Sequence, residues 1–116
     1  MNYRIELKTV FSEAGSTPEQ QLALFALLNL GLVESLASGS VSASDAVRLF
    51  FHAENCLFVR QRWRDRMADE VMSRGVQLPD LFEALPVKEA QREFQRELAT
   101  MRSLCLTLLA EKQLAA

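Results

Sequence analysis

The chain has 116 residues, of which 49% are hydrophobic and 24% charged, the make-up of one ordinary globular domain (residues 1–116) rather than of a disordered segment. Its net charge of −2, from 13 basic and 15 acidic side chains, argues against nucleic acid as the partner, because that affinity comes largely from neutralising phosphates. Cys56 and Cys105 are too far apart for a dense disulfide framework, and neither belongs to a Cys-x-x-Cys pair.

The first eight residues carry charges inside their apolar run, unlike a secretory signal. The longest apolar stretch, Leu22 to Val33, has 12 residues, whereas a bilayer span needs about 20. The expectation is a cytoplasmic protein with no membrane contact.

Residues 1–14 are ambiguous. Tyr3, Ile5 and Leu7 alternate with charged residues at the period of a half-buried strand. Tyr3, Leu7, Val10, Phe11 and Ala14 equally share one helical face, with Gly15 as terminator, and helix is favoured because a lone strand has no partner in the chain.

The next start is explicit. Thr17 as N-cap, Pro18 at the first helical position and Gln20 completing a capping box open a helix that runs to about Ser38, where Gly39 stops it. Between Leu22 and Val33 this helix is apolar on every side except at Asn29. A helix apolar all round must be covered all round, and a second copy of the chain is the simplest extra cover.

Ser42 and Asp45 form another capping signature, and neither Gly nor Pro follows until Gly75. One unbroken central helix over residues 43–74 would be roughly 48 Å long and would overhang a domain about 35 Å across. It either breaks near His52 to Cys56, with Asn55 capping a new start, or projects into a dimer. Pro79 and Pro86 bracket a further short helix carrying Leu81, Phe82 and Leu85. The last helix begins after Pro86 and runs to about Gln113, with Val87, Phe94, Leu98, Met101, Cys105 and Leu108 as its packing seam.

The fold expected is therefore an all-α bundle of four or five helices, forming a homodimer. Its core would take in Leu22, Phe25, Leu28, Leu32, Phe50, Leu57, Trp63 and Met67 together with the seam from Phe94 to Leu108.

Residues 60–75 hold five arginines against three acids, while the remainder of the chain sums to −4. On a continuous helix Arg60 and Arg64 lie together near Trp63, whereas Arg62 and Arg66 fall on another face with Asp65, Asp69 and Glu70. An aromatic flanked by guanidiniums suits a partner hot spot or an anion site, so Arg60, Trp63 and Arg64 form the candidate patch.

His52 and Cys56, at i and i+4, stand side by side. Two ligands hold zinc poorly and the chain has no second histidine, so no metal, cofactor or catalytic residue is assigned. Nor is there a dinucleotide, phosphate-loop or nucleophile-elbow motif. A helix-turn-helix around Pro86 is disfavoured by Glu89 and Glu93 at the start of what would be its recognition helix. The expected function is a non-enzymatic helical interaction protein (adaptor, regulatory subunit or assembly factor) that self-associates and binds a protein partner. The alternative is nucleic acid or a phosphorylated ligand bound at the Arg/Trp patch of residues 60–66.

Overall fold

The computed structural model describes residues 3–12 and 16–112, and over these the chain is an all-α bundle. The N-terminal segment is neither a strand nor a full helix. Residues 3–6 are irregular, with Glu6 extended, and among the described residues of this segment only Leu7–Val10 forms a turn of helix, α1. Leu7 and Phe11 are buried while Tyr3 and Val10 face solvent, so the segment lies across the bundle as a strap. The Gly15 stop proposed for it lies outside the described residues.

Helix α2, Pro18–Ala37, starts as its capping box requires: Thr17 Oγ1 accepts from the Gln20 amide at 3.1 Å, and Gln20 Oε1 accepts from the Thr17 amide at 2.9 Å. Gly39 turns the chain after it with φ +81°, a backbone region that suits glycine. Ser42 Oγ then caps α3, Ala43–Leu49, through the Asp45 amide at 3.1 Å, while the Asp45 carboxylate turns to Arg48.

The possible long helix over 43–74 does not form; the chain breaks twice. The first break, at Phe50–His52, lets two adjacent aromatics point into the core. Phe50 and Phe51 are each 1% exposed and meet edge to face at 5.3 Å. On a continuous helix neighbouring side chains diverge by about 100°, and one of the two rings would be left in water. His52, rather than Asn55, caps the new start: its Nδ1 accepts the Asn55 amide at 3.4 Å, and α4 covers Ala53–Arg62. The second break is Trp63–Asp65, where Arg64 takes a left-handed φ of +51° and Asp65 Oδ1 caps the next helix through the Ala68 amide at 3.0 Å.

That next helix, α5, spans Arg66–Ala84 and runs straight through the two residues read as its boundary, Gly75 and Pro79. Gly75 is needed for packing rather than for stopping. A Cβ at that position would overlap the Phe51 ring. The short helix expected after Pro79 is thus the end of α5. Helix α6, Val87–Glu111, folds back against it after Leu85–Pro86, and Arg74 Nη1 meets Glu97 Oε2 at 2.9 Å across the hairpin.

Helix α6 packs along both α2 and α5, and α3 and α4 close the outer side of α5. The core lies between the three long helices, around Phe25, Val71, Met72, Leu78, Leu98, Met101 and Leu108. Burying each of the larger aliphatic or aromatic side chains contributes roughly 1.5–3 kcal/mol. The α6 seam holds from Phe94 to Leu108, but Val87 is 71% exposed and Ala90 takes its place inside. Leu28 and Leu57, expected in the core, are on the surface instead. Leu32, Trp63 and Met67 pack at its edge.

Candidate functional site

Two surfaces stand out, and the polar scaffold beneath one of them comes first. The Asn55 side chain, 2% exposed, sits under the N-terminal strap. Its Oδ1 accepts the Leu7 amide at 2.9 Å, and its Nδ2 donates to the carbonyls of Ile5 at 2.9 Å and Phe50 at 2.8 Å. The His52 ring nitrogen Nε2 lies 2.9 Å from the same Ile5 carbonyl, so a proton on Nε2 with Nδ1 accepting satisfies both of its contacts. The Ile5 amide donates to the Leu49 carbonyl at 2.8 Å. These bonds tie the strap to the break between α3 and α4 and fix where α4 begins.

The first surface is a groove between α4 and α5. One end is an open cleft of about 750 Å³ lined by Arg60, Arg64, Arg66, Asp69 and Glu70. The other, about 550 Å³, is lined by Val47, Phe51, Cys56, Met72 and Val76, with His52 at its margin. Arg60, Asp69 and Ser73 line both, which joins the two ends.

Among the described residues Arg60, Arg64 and Arg66 make no ion pair, whereas Glu70 is held by Arg74 Nε at 2.8 Å. Partial burial raises the Asp69 carboxyl above its ordinary range, with the positive charge of Arg60 pulling the other way. Burial likewise raises the Cys56 thiol, again opposed by Arg60.

Of the patch expected at residues 60–66, Arg60 and Arg64 do come to one cleft, and Arg66 joins them. Trp63 does not line it. The break at residues 63–65 turns the indole inward, where it meets Phe11, Phe25 and Phe58 edge to face at 5.3–5.6 Å. Its Nε1 donates to Gln21 Oε1 at 3.0 Å, and Arg62 Nε donates to the same oxygen at 3.3 Å. A continuous helix would put Arg66 on another face; the break at residues 63–65 brings it round. Asp65, a good N-cap type three residues before Ala68, is the signal that a new helix starts there.

His52 and Cys56 are near each other but serve as cap and groove wall, and no cluster of three potential metal ligands occurs among the described residues.

The second surface is the outer face of α2. Leu24, Leu27 and Leu28, spaced for one helical stripe, are each 40–41% exposed. Gly31 follows on the same stripe with nothing within 4 Å of where its Cβ would be, and Ser35 lies one turn further on. No charge interrupts the stripe, and Glu34 borders it. Helix α2 has the length and hydropathy of a membrane span, but half of that window is buried within the fold.

Comparison of the chain with protein-family models, with curated proteins and with solved structures finds no match.

Proposed function

We propose that the protein is a non-enzymatic interaction protein that self-associates through the outer face of α2 and carries a separate surface for a protein partner. The reading rests on the Leu24–Leu27–Leu28 patch beside the open Gly31 position. If two α2 helices pair antiparallel about a two-fold axis at the 29–30 peptide bond, Leu28 of each copy falls opposite Gly31 of the other. Leu24 then falls opposite Ser35. Leu24 and Leu28 thus each meet a small residue, while Leu27 falls opposite half-buried Leu32, and the same patch serves both copies, as an isologous contact needs. A charge-free apolar stripe left in water would instead invite non-specific association.

Sedimentation equilibrium tests the reading. The expected mass is twice the 13.1 kDa of one chain, and Leu28→Asp is expected to return it to a single chain with helicity unchanged, because Leu28 faces out. A single-chain mass at every concentration overturns it.

A second reading, anion recognition at Arg60 and Arg64 by nucleic acid or a phosphorylated ligand, is favoured by the convergence of Arg66 on the same cleft. The inward placement of Trp63 removes the stacking surface that nucleic acid would use.

A further inference from the structure

We infer that the groove between α4 and α5 receives an acidic, amphipathic segment of a partner protein. The inference concerns a different face from the α2 stripe, so the two stand or fall separately.

The argument is one of matched chemistry along one groove. At one end Arg60, Arg64 and Arg66 present guanidiniums that form no ion pair among the described residues, although Arg60 acts on Asp69 and the Arg74-paired Glu70 lines the same cleft. At the other, Val76, which is 40% exposed, and half-buried Val47 and Cys56 offer apolar surface, backed by the buried Phe51 and Met72. The ends meet at Arg60, so one ligand can use both. Guanidiniums hold carboxylates through paired N–H donors, and apolar side chains set at helical spacing fill a groove between two helices.

Nucleic acid would use the guanidiniums but gains little from the apolar half, and no aromatic face lines the arginine end. The left-handed backbone at Arg64 adds to the case. A non-glycine residue there costs on the order of 1 kcal/mol, and such strain gathers at binding sites. The opposing feature is Asp69, whose carboxylate lies where the two ends join and repels an acidic ligand.

The test is fluorescence anisotropy on the full chain with three labelled probes. The first is a short peptide of Asp and Glu with Leu and Phe at helical spacing; the second carries Lys in place of its acids, and the third Ser in place of Leu and Phe. A single-stranded thymidine oligonucleotide is the fourth ligand. The first peptide is expected to bind and to weaken with salt. Arg60→Glu with Arg64→Glu, or Val76→Asp alone, is expected to weaken it roughly tenfold or more, and Asp69→Asn to tighten it.

Arg60, Arg64 and Val76 are exposed, so these variants keep the fold, which thermal melts by circular dichroism verify. Leu28→Asp is expected to leave peptide binding unchanged, which separates this site from self-association. No binding of the first peptide at low salt overturns the inference, as does equal binding of the Lys or Ser peptide. Oligonucleotide binding that is tighter than the peptide's and indifferent to Val76→Asp overturns it too, and assigns the guanidiniums to nucleic acid.

Discussion

The ring of Phe51 occupies the space where a side chain on Gly75 would begin. Two segments 24 positions apart in the chain, the break after α3 and the middle of α5, are locked together by a missing methyl group. Changing Gly75 to Ala should gain about 1 kcal/mol in helix propensity. It should lose more, because the 1%-exposed Phe51 ring is already held edge to face by Phe50 and has nowhere to move. The net expectation is destabilisation of about 1–2 kcal/mol in urea unfolding. In a Phe51→Leu background the penalty should shrink, and an unchanged penalty would assign it to something other than this contact.

Asn55→Ala removes three hydrogen bonds and leaves the Leu7 amide and the Phe50 carbonyl without their partner. The expected loss is about 2–4 kcal/mol, because buried polar groups that lose their partners carry their full desolvation cost. Hydrogen exchange should show the Leu7 amide losing protection while amides in α6 exchange as their global stability dictates. Asn55→Asp keeps an acceptor for Leu7 but turns a carboxylate on two carbonyls, and should be no better tolerated. Full protection of Leu7 in Asn55→Ala would contradict the clamp.

Cys105 is fully buried on the α6 seam, and burial pushes its thiol up to about 12. In the native protein at mildly alkaline pH it should resist a thiol reagent, while half-buried Cys56 reacts slowly; both should react at once in denaturant. The same shift has a stability consequence. The unfolded thiol releases its proton near 9.0 and the native one near 12, so the stabilising contribution is complete below about pH 9 and is lost as pH rises through 12. Cys105→Ser should remove that alkaline dependence, and fast native labelling of two thiols would disprove the burial.

The sequence revealed starts better than stops. Thr17 and Ser42 announce their helices because a cap is a local contract between a side chain and an amide three residues on. The breaks at 50–52 and 63–65 contain neither Gly nor Pro, and their cause is tertiary: Phe50 with Phe51, and later Trp63, are drawn into the core at the expense of helical continuity. Gly75 and Pro79 misled in the opposite direction, since α5 is held by its packing on α6 and α3 through residues that would end an isolated helix.

The apolar surplus of α2 is legible in the sequence, though not which of its leucines face out. The sequence alone puts Leu28 inside, and only the phase set by Phe25, Asn29 and Val33 turns Leu24, Leu27 and Leu28 outward. Arg60 and Arg64 were singled out, but the company of Arg66 and the departure of Trp63 depend on the left-handed turn at Arg64, which an arginine does not advertise.

The strap across α4 also sets an order of events during synthesis. Ile5 and Leu7 are made about fifty residues before Asn55 and His52, the side chains that receive them. At about 5–20 residues per second, they wait roughly 2–10 seconds with Leu7 and Phe11 uncovered. For that interval the newborn chain carries an apolar segment with no native place to go, and anything that delays the ribosome between residues 11 and 55 lengthens its exposure to chaperones and proteases alike.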